Sequence, residues 1–176
     1  MNFLEKLFKL YKTSNGKTFK ESVNLVGEYT IELFDKNGKL KDREVKKNLI
    51  TNVGFAQLAL LAGDATAVPF TYLAIGTGTT AAAVTDTTLV TECTTDNLGR
   101  AAATVTRTTT TVTNDTLQLA KTFTYSGSTL VAIKEYGVFN DSSVGTMLSR
   151  TVGANAKNLE ESGETLVLTY KLSFAA

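Results

Sequence analysis

From Tyr72 to Thr80 the chain reads YLAIGTGTT, and it runs on through AAAVTDTTLVTE, Ala81 to Glu92. An apolar run of strand length breaks at Gly76 into small and polar residues, and strand-like patterning resumes at Arg100. The Gly-Thr loop itself carries none of the side chains on which catalysis normally relies. This order of strand, plain loop and long Thr-rich strand points to a β-rich protein made for assembly rather than turnover.

Composition supports that direction. Thr occupies roughly one position in six and clusters between Thr77 and Thr129. β-Branched side chains lose little rotamer freedom on a pleated strand, so such a chain leans to all-β. The 176 residues suffice for one domain with a real core, with or without a short arm. The 18 basic and 17 acidic residues leave a charge of +1, which favours neither nucleic acid nor an anionic membrane. The absence of His removes the commonest general base and metal ligand together. Cys93 is the lone cysteine, so the fold must stand without an internal disulfide and suits a reducing compartment. The opening MNFLEKLFKLYK mixes Lys and Glu and contains no long apolar run, so neither a secretory signal nor a membrane span is expected.

Outward from the opening stretch, the pattern predicts two parts. Residues 1–27 read as a helical arm and linker, and residues 28–176 as the β domain. In the arm, Phe3, Leu7, Leu10 and Tyr11 fall at helical spacing, with Leu4 and Phe8 beside them and charges between. These six are the candidate interaction residues, because about three turns of amphipathic helix are marginal alone and must dock in cis or in trans. Thr13 to Thr18, TSNGKT, reads as a loop.

In the β domain, Tyr29, Ile31 and Leu33 share one face of a strand starting at Glu28. Asn37-Gly38 marks a hairpin, and the charged return strand Leu40 to Lys47 suits a solvated edge. The best helix spans about 51–62. Thr51 or Asn52 caps it, Phe55, Leu58, Ala59 and Leu61 or Ala62 form its apolar stripe, and Gly63 ends it. Beyond the Gly-Thr loop, Arg100 to Thr113 reads as one long strand and Asn114-Asp115 as a turn. Leu117 to Tyr125 and Leu130 to Asn140 follow, the latter bulged at Gly137, then a short TMLSRTV segment. A final strand faces Leu166, Leu168, Tyr170, Leu172 and Phe174 to the core. The expected fold is mainly β: an antiparallel β-sandwich or jelly-roll-like barrel with one covering helix.

Few constellations carry chemistry. Gly76-Thr77-Gly78-Thr79-Thr80 lacks the Gly-Lys-Ser/Thr ending of a phosphate loop and the third Gly of a dinucleotide fingerprint, so it reads as a surface turn. Glu160, Glu161 and Glu164 read as a solvated loop, without the spacing of a calcium site. Asp141 with Ser142 and Ser143 reads as turn chemistry. Glu135, in the apolar AIKEYGVFN, reads as a buried partner of Arg150 or Arg107. Cys93 has no imidazole to activate it and reads as a small hydrophobe or an inert thiol. The Lys39, Lys41, Arg43, Lys46 and Lys47 cluster is diluted by Asp42 and Glu44, against a nucleic-acid site. No catalytic residue, cofactor or metal site is expected.

The ordered set NLITNVG-helix-AG, FTYLAIGTGTTAAAVTDTTLVTE, an Arg-led Thr-rich strand, IKEYGVFN…GTMLSR and ESGETLVLTYKLSF resembles a family of small tailed-bacteriophage virion proteins. The resemblance covers about Lys47 to Phe174. It implies a β-sandwich present in many copies on a particle, as a capsid decoration or a neck or tail attachment protein. It also implies other virion proteins and further copies of this chain as partners, the virion as location after assembly in the host cytoplasm, and no catalytic residues. The alternative is a receptor- or glycan-binding module of a tail fibre, gripping sugars through Tyr136 to Asp141 and Phe70 to Tyr72.

Overall fold

The computed structural model describes residues 13–14, 17–18 and 24–175. The arm residues Phe3, Leu4, Leu7, Phe8, Leu10 and Tyr11 lie outside them. Where a loop was expected, β1 (Thr13–Ser14) pairs antiparallel with β2 (Lys17–Thr18), Thr13 opposite Thr18. The Asn15-Gly16 pair between them is the same hairpin signal as Asn37-Gly38.

Two five-stranded antiparallel sheets make a sandwich. The first has the order β4 (Leu40–Lys47), β3 (Asn24–Phe34), β12 (Thr165–Ala175), β9 (Thr116–Thr124), β8 (Thr104–Thr108). The second has the order β5 (Leu49–Ile50), β11 (Met147–Leu159), β10 (Val131–Phe139), β6 (Tyr72–Gly76), β7 (Ala101–Ala102). The period-2 pattern decides what lies between them. Tyr29, Ile31 and Leu33 of β3, Leu166, Leu168, Tyr170 and Leu172 of β12, and Leu119 and Phe123 of β9 are buried. They meet Leu73, Ile75, Ile133, Tyr136, Val138, Leu148 and Leu159 from the other sheet. Each fully buried large side chain contributes on the order of 2 kcal/mol of transfer free energy. Phe174, expected inside, is 42% exposed, because it lies beyond the last of the core residues on β12.

Four local expectations change. β3 begins at Asn24, ahead of Glu28. The strand expected over Arg100–Thr113 is two strands, β7 and β8, in different sheets, broken at Ala103. β11 runs for 13 residues rather than stopping after TMLSRTV. The register of β10 shifts between Ile133 and Glu135 and between Val138 and Phe139, while Gly137 pairs regularly with Ala74 and Arg150. Gly137 instead makes room: a Cβ there would stand 2.9 Å from Leu89 Cδ2.

Helix α1 (Asn52–Gly63) forms where expected but is turned differently. The Thr51 hydroxyl accepts from Gly54 N–H at 2.9 Å and donates to the Met147 carbonyl at 2.5 Å, tying the helix start to β11. Gly54 is the one buried α1 residue, lying against the Leu148 backbone too closely for any Cβ. That contact sets the helix rotation. Leu58 and Leu61 turn partly inward, whereas Phe55, Ala59 and Ala62 of the expected stripe face outward.

Candidate functional site

The segment between β6 and β7, residues 77–100, contains no helix and no strand beyond a single bridge from Glu92 to Gly76, yet it is tightly held. Its anchor is Glu135, on the face of β10 that points away from the sandwich core. One carboxylate oxygen accepts Gly78 N–H at 3.1 Å and Thr91 N–H at 2.6 Å. The other accepts Val90 N–H at 3.0 Å and the Arg150 guanidinium at 2.9 and 3.1 Å. Arg150 is paired across the β10–β11 ladder with Gly137, and its remaining donors reach Asp86 at 2.9 Å and the carbonyls of Thr80 and Ala81. Both members of the pair are fully buried.

This arrangement satisfies every guanidinium nitrogen and both carboxylate oxygens, as a buried ion pair requires. Of the two candidate partners for Glu135, Arg150 is the one; Arg107 lies on β8 in the other sheet. Sequence reading missed that the same carboxylate holds three loop amides. The signal was present in the glycines. A Cβ on Gly76 would stand 2.6 Å from Glu135 Oε1, and one on Gly78 would stand 2.5 Å away. Neither has a positive φ, so close approach of a carboxylate explains them, not unusual backbone angles. Both are buried rather than at a surface turn.

Beneath the loop, Ala74, Leu89, Phe139 and Met147 form a second small core. Arg100 stacks over the Phe139 ring, 3.5 Å from its centre, and pairs with Glu92 at 2.7 Å. Cys93 is half-buried and donates its N–H to the Ile75 carbonyl at 3.0 Å. Burial pushes its thiol up to about 11, so it is protonated and unreactive near neutral pH.

Other carboxylates are used in the same way. Asp115 accepts the amides of Thr110, Thr111 and Val112 at 2.7–2.8 Å, and these bonds, led by Val112, bring its pKa down to about 2. Asp141 accepts Ser143 N–H at 3.0 Å, as turn chemistry demands. Glu164, read as part of a solvated loop with Glu160 and Glu161, is instead buried. Burial pushes its pKa up, but Lys41 at 2.6 Å and the Glu160 and Glu161 amides outweigh that and lower it. Glu160 and Glu161 remain exposed, the latter pairing with Lys36. Among the described residues there is no group of three metal-ligating side chains. An open polar groove of about 650 Å³ is lined by Thr94, Asp96, Asn97, Lys121 and neighbours.

The edge strand β4 has two sides. Asp42 and Glu44, the acids within the basic cluster, bind Lys157 of β11 at 2.8 and 3.0 Å. That lysine is almost fully buried and bridges the two sheets. The aromatic residues offered for sugar stacking, Tyr136, Phe139 and Phe70, are all buried, leaving only Tyr72 partly accessible.

Apolar side chains point outward from the anchored loops and from α1. Val84 and Val90 on the stapled segment are 47% and 55% exposed, Val112 beside Asp115 is 63%, and Val144 beside Asp141 is 81%. On α1, Phe55, Ala56, Ala59 and Leu60 face out, and the helix carries no charge. A helix apolar all round is normally buried. Among the described residues no helix is long and apolar enough to cross a membrane. Comparisons with protein-family models, with curated proteins and with solved structures found no match.

Proposed function

We propose that this chain is a non-enzymatic structural component of a tailed-phage virion, a capsid decoration or a neck or tail attachment protein, acting in many copies through subunit contacts. The observation that carries this reading is the use of its carboxylates. Glu135, Asp115, Asp141 and Glu164 are each engaged in holding backbone amides of irregular segments. Three of those segments display Val84, Val90, Val112 and Val144 to solvent. Ordering a loop before contact removes part of the entropic cost of association, and repetition over many copies multiplies a small contact into a durable one. Acidic groups committed to backbone anchoring suit a scaffold. The resemblance over Lys47 to Phe174 supplies the particle, and other virion proteins and further copies of this chain are the partners.

The test is to purify particles from infected cells and locate this chain with a labelled antibody by electron microscopy. Labelling at fixed positions on each particle is expected. If the chain stays in the supernatant when particles are pelleted, the reading fails.

A further inference from the structure

We infer that the outward apolar face of α1 is the seat of the chain's own N-terminal segment, Phe3 to Tyr11. Around the helix axis, Asn52, Phe55, Ala56, Ala59, Leu60, Ala62 and Gly63 are the exposed positions, and they fill one continuous arc. Within it Phe55 is 44% and Leu60 50% exposed, and Val68 and Val84 on the flanking loops are about equally so. Val84 belongs to this face because its carbonyl accepts Asn52 N–H at 2.8 Å. A surface helix ordinarily shows charges there, so a cover is required.

The same chain contains a segment with the opposite deficit. Phe3, Leu4, Leu7, Phe8, Leu10 and Tyr11 form an amphipathic run too short to persist alone. As a helix it spans about 14 Å against about 18 Å for the 12 residues of α1. Charge agrees: Lys6, Lys9 and Lys12 outnumber Glu5, while the C-terminal end of α1 has no basic residue and is capped by exposed Asp64, held ionised by Thr66.

Connectivity places the two close together. β3 begins at Asn24, and Gly27, three residues on, accepts the N–H of Asn48, which joins β4 to β5 just ahead of the Thr51 cap. β1 and β2 pair antiparallel with Thr13 opposite Thr18, so the segments before Thr13 and after Thr18 leave from the same end. Only Phe19 to Val23 separate β2 from Asn24, and the six steps from Thr18 to Asn24 reach at most about 22 Å. So short a tether gives the segment a local concentration in the millimolar range on its own domain, far above any neighbour in dilute solution. The inference concerns the isolated chain, so its failure would leave the virion reading standing.

The test uses the full chain. Trypsin cleavage at Lys6 and Lys9 is timed in the native sequence and in Leu60→Glu, a change at a half-exposed position, with the variant's melting temperature measured alongside. At least a tenfold faster cleavage is expected in the variant, and equal rates overturn the proposal. A zero-length carbodiimide cross-link from Lys6 or Lys9 to Asp64 is then sought in a mixture of light and heavy-isotope chains. Products within one chain are expected. Mixed-isotope products, which would assign the seat to a neighbouring copy, or no product to Asp64, overturn it.

Discussion

Arg150 and Glu135 show what a buried charge demands. With both side chains at zero exposure, removing one partner strands the other without water. Glu135→Ala is therefore expected to cost about 3–5 kcal/mol, measured by urea unfolding. It should also expose the amides of Gly78, Val90 and Thr91 to rapid hydrogen exchange, because they lose their acceptor together. Gly78→Ala probes the same site from the other side, and a Cβ driven against the carboxylate should likewise lower the melting temperature. Asp115 offers a pH signature. Its folded pKa of about 2 lies below the ordinary value near 3.9, so its contribution is present above pH ~4 and is lost as pH falls towards 2. Asp115→Asn should flatten the fall in melting temperature across that window; an unchanged slope would show that the amide cradle contributes nothing to acid stability.

Helix α1 displays the limits of periodicity as a guide to rotation. Counting apolar residues puts Phe55 and Ala59 inside, but every turn of this helix is apolar, so the count has no preferred face. The Thr51 cap and the Gly54 contact decide instead. Gly54→Ala tests this directly. Helix propensity alone favours Ala by about 1 kcal/mol, yet the new Cβ would press on the Leu148 backbone, so net destabilisation is expected by thermal unfolding. A gain would mean that the helix is free to shift. Thr51→Ala should cost about 1–2 kcal/mol, since it removes the cap and the tie to Met147. The strands were more legible than the helix face. In β3, β9 and β12 a two-residue alternation has one physical reading, and Tyr29, Ile31, Leu119 and Leu168 are all buried as it requires. The Arg100–Thr113 run was misread because Thr suits either a strand or an exposed loop, and nothing local marks Ala103 as the crossing between sheets. Glu135 was recognisable as buried from its apolar neighbours. Its loop partners, 44 to 57 residues away, were not: Gly76 and Gly78 are the only trace they leave, a glycine serves a tight turn equally well, and the amides of Val90 and Thr91 carry no residue-type signature.

At the scale of the whole molecule, a buried lysine helps to join the two sheets along the β4 edge. Lys157 on β11 reaches Asp42 and Glu44 on β4, and Glu44 also accepts Ala154 N–H at 2.8 Å, so an edge strand of one sheet is pinned to the second half of a long strand in the other. Inward charges on an edge strand also discourage sheet-to-sheet addition. Burial pushes the Lys157 pKa down, but the two carboxylates outweigh it and raise it. Asp42 is lowered chiefly by Lys157, and Glu44 is lowered by the Ala154 amide and Lys157 against its burial. The carboxylates therefore add stability above their ordinary range near pH 4 and lose it as pH falls. The lysine adds stability below its ordinary pKa and loses it as pH rises through its raised value. Lys157→Met fits the space but leaves Glu44 partly buried without its cation. We expect a loss of about 2 kcal/mol near neutral pH, below the cost of a fully buried pair because Asp42 is half-exposed. The loss should shrink as the solution is acidified through pH 4, where the carboxylates of the variant become neutral. An equal loss at pH 3 and pH 7 would mean that Lys157 acts through packing alone, and that the two sheets are held together without this bridge.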